Sequence, residues 1–502
     1  MIRLLARLKR KPEPRLLGDS EMADLYEEIF DEPVSAEALF AKFGAVPKDR
    51  RHLHEWVMDL RTLRRIRLAH APTGPYVALP AANSPHDRLL GLPVVSRSGR
   101  EAKPAGACVV KRTACSACGH TDLDQFLDLG LSPIADAYTA TPDEDSPKFP
   151  LQLAVCAKCR LVQLLEVVPA DVLFGTGYSF YSSASAPLSA YHAAYAADVR
   201  DRYPGLATRG VVEVGCNDGD LLRHFRAFPH VGVDPSSGPA AVAAERGCEV
   251  LVEPFGLATA QLIRSERGPQ GLVFANHVLA HVEDVSDVLA GIAHLLRNNG
   301  IAMVEVQYLP DLLVNNAFDL VYHEHRNFFS LSSLESAAAT HGLRVHDVEL
   351  TDRQGGSLRV ALSRQLSPTA RVFKVRMSEQ WLNDFSAYAG MQGRAERIRT
   401  RLREMLADRD ITAVYGAPAK ATTLLNFCGL DRRQLAYCVD TTAAKQGRHI
   451  PGTGIQILSP DTARGAVRPG AFLLAAHNYA RPIVAANPGN QWILPIPAPV
   501  LL

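Results

Sequence analysis

Hydrophobic positions change their period along the chain, and the changes mark its elements. Met22, Leu25, Tyr26 and Ile29 recur at helical spacing, Ser35 can cap a second helix carrying Leu39 and Phe43, and a third from about Lys48 presents Leu53, Trp56, Leu60 and Leu63. Ile66 to Leu79 then alternates loosely around the turn signal Thr73-Gly74-Pro75. Helix, helix, helix, wing is a winged-helix-like order. A linker rich in Pro, Ser, Gly and charge follows. From Gly210 to about Arg364, β-rich runs (GVVEVG, HVGVD, GLVFAN, GIAMVEV) alternate with helical patterns, which predicts a parallel, doubly wound α/β sheet of Rossmann-like type. A helix is expected before it, around Ala190 to Arg202. Roughly Met377 to Arg409 reads as a helical connector with Trp381, Leu382, Phe385, Ile398, Leu402 and Met405 on its apolar face. TAVYGAPAKA, LAYCVD and AFLLAAHN then predict a second, smaller α/β domain, and no internal repeat stands out. The expected division is a winged-helix-like extension at 1–80, a linker at 81–107, a cysteine-bearing module at 108–185, the central domain at 186–365, the connector at 366–409 and the last domain at 410–502.

Composition narrows the function classes. With 54 basic against 53 acidic residues there is no global field to hold a polyanion, so nucleic-acid and membrane-surface binding gain no support. A small-molecule partner is expected. Arg61, Arg64, Arg65 and Arg67 cluster at the end of the third helix, but they also suit the negative end of its dipole, so dimerisation or docking on a carrier or partner is the favoured role for residues 1–80. The start, MIRLLARLKRKP, lacks the apolar core of a signal peptide, and no apolar run is long enough to span a bilayer. A cytoplasmic setting is expected, and there paired cysteines favour metal over disulfides.

Cys115-x-x-Cys118 and Cys156-x-x-Cys159 have zinc-knuckle spacing, separated by an inserted segment of 37 residues. Four thiolates would fill the coordination sphere and leave no place for water, so the metal would be structural. Cys108 is a nearby decoy and His120 a substitute ligand. Farther on, Val211-Val212-Glu213-Val214-Gly215-Cys216-Asn217-Asp218-Gly219 is a strand running into a glycine turn before a helix. About twenty residues later His230-Val231-Gly232-Val233-Asp234 ends in a carboxylate placed to accept two ribose hydroxyls. A nicotinamide dinucleotide would ask for GxGxxG, which GCNDGD does not supply. The ExGxxxG form instead suits S-adenosylmethionine, with Glu213, Gly215, Asn217, Asp218, Gly219, Asp234 and, on a neighbouring strand end, Asn276 as candidate cofactor-binding residues.

The densest chemical cluster is Tyr322-His323-Glu324-His325, and His281 follows another strand of the same sheet. Proton abstraction beside a carbonyl needs a base near neutrality and donors for the enolate oxygen, which His, Tyr and Glu supply. The HEH spacing, joined by His281, would also suit a metal, but methyl transfer to carbon needs none.

At these residues the chain resembles the zinc-containing C-methyltransferases that build branched deoxysugars on nucleoside diphosphates. The resemblance covers roughly residues 112–502 and is carried, in order, by the CxxC pairs, YSFYSSAS, EVGCNDGDLL, ANHVLAHV, YHEH, GGSLRV, VYGAPAKATTLLNFCG, KQGRHIPGTGIQI and WILPIPAP. It implies that Tyr322, Glu324, His325 and His281 lie at the reacting sugar, joined by Tyr178 or Tyr181. His325 would be the base, Tyr322 and His281 would stabilise the oxyanion or relay the proton, and Glu324 would orient His325. The chain departs from the family at Gln354, where a histidine is usual, and at His477-Asn478, where a Trp-Asn pair is usual. Both bear on the acceptor, which is an NDP-4-keto-deoxysugar by resemblance or else a non-sugar carbonyl compound. A zinc and winged-helix nucleic-acid protein with a degenerate methyltransferase fold is the third reading, opposed by the intact motifs.

Overall fold

The computed structural model describes residues 15–17, 45–47, 109–173, 181–407, 412–467 and 469–502. In the first 108 residues it describes the strands Arg15–Leu17 and Ala45–Pro47, paired in parallel. The expected helices, wing and linker of residues 19–107 lie outside the described residues, as does the docking role drawn from them.

The central sheet has seven strands in the spatial order Val250–Leu251, His230–Val233, Val211–Val214, Gln270–Asn276, Leu296–Gln307, Ser357–Ser363, Arg344–Thr351. The first five are parallel and buried nearly throughout, as continuous Val/Ile/Leu runs require when helices cover both faces. The expectation of a wholly parallel sheet is corrected at one edge: Ser357–Ser363 runs antiparallel to both neighbours. Only the short Asp352-to-Gly356 link joins it to Arg344–Thr351, and a parallel return needs a crossover of a dozen or more residues. The turn after Val214 also differs from expectation, since a single 3₁₀ turn, Leu222–Phe225, follows it rather than an α-helix. The next strand starts at His230, which leaves room for little more. The helix expected from Ala190 runs over Ala186–Arg202, capped by Ser185.

The segment between the knuckles forms the hairpin Leu123–Pro133 and Lys148–Cys156, extended by Val162–Leu164 and closed by Asn327–Phe328. That last strand comes from the central domain, immediately after His325. The connector helix Met391–Ala407 buries Ile398, Leu402 and Met405 in one core with the hairpin and the C-terminal domain, whereas Phe385 is exposed.

The C-terminal sheet orders its strands Ile457–Leu458, Leu435–Val439, Thr412–Tyr415, Ala471–Leu474, Trp492–Leu494, Val500–Leu501, all parallel but the last. Its first five positions repeat the central sheet's topology. The repetition extends to hydrogen bonds. Asp234 Oδ2 accepts from the Asn217 N–H at 2.8 Å and Oδ1 from Ser236 N–H at 2.8 Å, while Asp440 accepts from Ala417 and Thr442 at 2.7 Å each. In sequence the two halves share little more than a glycine after the first strand and Val-Asp at the end of the second, because topology constrains hydrophobicity and turns more than residue identities. Among the described residues no helix is long and apolar enough to cross a membrane.

Candidate functional site

Both knuckles are tight turns at the ends of the hairpin, and they bring four sulfurs within 4.8 Å of one another. The Sγ atoms of Cys115 and Cys159 lie 3.5 Å apart and those of Cys118 and Cys156 3.6 Å apart. Tetrahedral Zn–S bonds of about 2.3 Å need sulfurs about 3.8 Å apart, so the four residues fit the ion. The four sulfurs influence one another strongly: the hydrogen bond shared with Cys159 pulls the Cys115 thiol down, while Cys159 is pushed up by the same bond and Cys118 by burial. His120 pairs with Asp122 instead, at 3.3 Å, and Cys108 lies outside the described residues. Among the described residues this is the one cluster able to hold a metal, and His281 and the HEH residues are not part of it.

The candidate cofactor cradle lies where the strands Val211–Val214 and His230–Val233 of the central sheet end. Gly215 has φ +66°, and a Cβ there would meet Val278 Cγ2 at 2.5 Å; at Gly219, with φ +73°, it would meet Ala243 Cβ at 2.9 Å. Asn217, with φ +50°, holds a left-handed conformation uncommon outside glycine, and its N–H is fixed on Asp234. Asp234 is nearly buried, and its two oxygens keep further lone pairs for hydroxyls. Glu213 Oε2 and Asn276 Nδ2 are buried polar atoms with no protein partner, as a site shaped for an absent polar ligand would leave them. Asp218 divides its buried carboxylate: Oδ2 accepts from Ser183 N–H and Oγ–H at 3.2 and 2.5 Å and pairs with Arg246 at 3.2 Å, fastening the 181–185 segment onto the turn, while Oδ1 has no protein partner. Asn217 Oδ1 adds a bond from Ser182 N–H at 2.9 Å. Tyr181 lies with its hydroxyl against Gly238, just beyond Asp234 and on the cofactor side, and Tyr178 lies outside the described residues.

The candidate reacting groups converge from two loops. The His281 and His325 rings lie 5.2 Å apart, centre to centre. Nδ1 of His281 meets the Glu324 carbonyl at 2.7 Å and Nδ1 of His325 meets the Leu320 carbonyl at 2.8 Å. A carbonyl only accepts, so each Nδ1 carries the proton and each Nε2 keeps a basic lone pair. Nε2 of His325 is 2.8 Å from the Tyr322 hydroxyl. Burial pushes the His281 imidazole down to about 4 and His325 well below its ordinary value, so both rest neutral. Burial pushes Glu324 up to about 8, and its Oε2 is buried without a partner. One expectation is thereby corrected: Glu324 does not orient His325, whose two ring nitrogens are taken by Leu320 and Tyr322. His323 turns away, its Nε2 3.3 Å from the Pro150 carbonyl and its ring against Phe149 in the hairpin.

Comparison with known proteins gives this arrangement its family. Residues 115–174 match the model of a zinc binding domain, 189–348 that of a methyltransferase domain, and 352–497 that of a C-methyltransferase C-terminal domain. The C-methyltransferase NovU of Streptomyces niveus is 37% identical over 404 residues, which are 77% of this chain and 96% of that protein. The chain belongs to the zinc-containing C-methyltransferases. It is an S-adenosylmethionine-dependent enzyme with a class I methyltransferase core. Solved structures that align with this C-methyltransferase include magnesium protoporphyrin IX methyltransferase (ChlM) of Synechocystis with bound SAH, 17% identical, TM-score 0.28, over 35% of this chain and 83% of that one. An S-adenosylmethionine-dependent methyltransferase of Clostridium acetobutylicum is 9% identical, TM-score 0.29, over 35% and 91%.

Two charged clusters near the candidate site were not legible in the sequence beyond its departure at His477-Asn478. His277 follows Asn276 with φ +56°, its N–H on the Glu305 carbonyl at 2.6 Å and its Nε2 3.5 Å from Glu305 Oε1. Burial opposes ionisation of Glu305, but His277, Arg359 and Tyr191 outweigh it and hold the carboxyl down at about 2. The second is a junction with the C-terminal domain. His477 Nε2 lies 2.6 Å from Asp319 Oδ2 and 2.9 Å from Lys420 Nζ, which also reaches Asn478 Oδ1 at 2.9 Å. One ring nitrogen cannot donate to Asp319 and accept from Lys420 at once, so the cluster shares fewer protons than its three groups can hold. Burial lowers Lys420 to about 8 against the pull of Asp319. The partners of Glu305 and Asp319 are 28 to 158 residues away in sequence, so the only available signal was an ionisable residue inside an apolar run.

Proposed function

We propose that the C-methyltransferase removes the proton beside the 4-keto group of a nucleoside-diphosphate deoxysugar and methylates that carbon. The observation that carries this reading is the pair of neutral imidazoles, His281 and His325, with ring centres 5.2 Å apart and the Tyr322 hydroxyl 2.8 Å from His325 Nε2. His325 Nε2, released from Tyr322 as the acceptor enters, takes the proton. Tyr322, and Glu324 as a neutral acid, donate to the enolate oxygen, the role a carboxylic acid plays when its site keeps it protonated. His281 relays the proton. The cofactor would be held by Gly215, Asp234 and Asn276, with Glu213, Asn217, Asp218 and Gly219 shaping the cradle and Tyr181 beside it at Gly238, and would supply an electrophilic methyl group on sulfonium that the enolate carbon takes up in exchange for a neutral thioether leaving group.

A nucleotide on the acceptor suits the second domain, where Asp440 repeats the hydrogen-bonding pattern of Asp234 beside the Gly416 turn, φ +86°. A non-sugar carbonyl compound is the second reading. It is favoured by His477, which departs from the family's usual tryptophan and engages Asp319 three residues before Tyr322. Residues 1–80 would then dock a carrier. Mass spectrometry after incubation with labelled cofactor and a panel of 4-keto NDP-sugars decides between the two. For the chemistry, His325→Ala should lower turnover on the order of 10² to 10⁴ with little change in cofactor affinity. With demethylated cofactor bound in heavy water, wild type should wash deuterium into the carbon beside the carbonyl. Undiminished wash-in by His325→Ala would move the base to His281.

A further inference from the structure

Asn327 is buried, and its side-chain amide makes three hydrogen bonds, two to the loop that carries His281 and one to the zinc knuckle. Nδ2 donates to the carbonyls of Leu279 at 3.0 Å and Val282 at 2.8 Å, which bracket His281. Oδ1 accepts from the Ser116 hydroxyl at 2.9 Å. Because carbonyls only accept, this is the one orientation of the amide that satisfies both. The main chain adds to it: the N–H groups of Arg326 and Asn327 both donate to the Ala280 carbonyl, at 2.7 and 3.1 Å. Asn327 is two residues from His325, so one residue locks the two histidine loops together.

Its third partner is the zinc knuckle. Ser116 stands between Cys115 and Cys118, its N–H donates to Gln163 Oε1 at 3.0 Å, and its carbonyl accepts from Ser286 N–H at 3.1 Å. Gln163 is the residue that pairs with Asn327 across the sheet. The knuckle is thereby joined to the loops of both histidines by two routes, each one or two hydrogen bonds long.

We propose that Asn327 is a positioning residue that holds the His281 and His325 loops in one geometry and ties that geometry to the zinc knuckle. The proposal rests on the placement of those histidines at the reacting carbon. An amide with both donors and its acceptor fixed is worth more here than three bonds. Deleting it removes the donor from the buried Leu279 carbonyl and the partly buried Val282 carbonyl, and frees the loop that carries His281 to shift and open further to water. The shift needed to impair chemistry is small, since misplacement by about 1 Å can cost on the order of 100-fold.

The test uses the full, zinc-loaded chain as Asn327→Ala and Ser116→Ala. Zinc content, KM for S-adenosylmethionine, turnover, and titration of the His281 ring by NMR of histidine-labelled protein are all measured. For Asn327→Ala the expectation is full zinc, a cofactor KM within about twofold and turnover lowered about 10- to 100-fold. His281 should titrate at least about one unit higher, because relief of burial raises an imidazole. Ser116→Ala, which removes only the knuckle's bond, should show the same pattern at a few-fold, and it decides the matter if Asn327→Ala does not fold. Unchanged titration and turnover in a folded variant overturn the proposal. A shifted titration with unchanged turnover upholds the positioning and overturns instead the assignment of His281 to the reaction.

Discussion

Replacing Glu324 by glutamine should stabilise the protein, and by more as the pH rises. Burial moves this carboxyl from its ordinary 4.5 to about 8. Below about pH 4.5 the acid is protonated folded or unfolded, and its burial carries no ionisation penalty. Between about 4.5 and 8 the unfolded chain loses the proton and the folded one keeps it, so stability falls as pH rises; above 8 the loss is complete. At about 1.4 kcal/mol per unit the full shift corresponds to about 5 kcal/mol, an upper figure, because water entry and relaxation reduce it. Glutamine has the same shape and never ionises. Its gain over wild type should therefore grow from near zero at pH 4.5 to a few kcal/mol at pH 8, read as the pH dependence of the unfolding transition. Any constant offset reports altered hydrogen bonding and leaves the slope intact. A gain that is flat between pH 5 and 8 would refute the reasoning, since it would mean that Glu324 is ionised in the folded site. The same substitution keeps an N–H donor, so activity should survive better in Glu324→Gln than in Glu324→Ala.

Two further outcomes test the binding sites. Cys115→Ser or Cys156→Ser should lose zinc and soluble yield before any effect on chemistry is measurable, because metal binding contributes folding energy to such modules; metal analysis of a folded, active and zinc-free protein would contradict this. Asp234→Ala should weaken S-adenosylmethionine binding by about 1 to 3 kcal/mol, the range for losing a charged hydrogen-bonding group, and calorimetry showing unchanged affinity would remove Asp234 from the site.

The sequence by itself determined whatever depends on local spacing. Two thiols in a knuckle turn, a strand ending in Gly215, a second ending in Asp234 and the run Tyr322 to His325 are short-range patterns, and the backbone geometry of turns and strands fixes what they can do. It also determined the layers, because buried parallel strands must be apolar along their length. Tertiary structure decided what depends on meeting a distant segment. Whether His325 leans on Glu324 or on Leu320 and Tyr322 is settled by how the loop after Phe318 folds back. The low pKa of His281 and the high one of Glu324 come from burial, which residue type does not encode. That Asp218 also fastens Ser183 to the turn follows from packing of the 181–185 segment. The antiparallel edge of the central sheet and the repeated topology of the last domain were illegible for the same reason. Hydrophobic period records that a strand is buried, but its neighbour and direction are chosen only when the whole sheet assembles and the intervening links prove long or short.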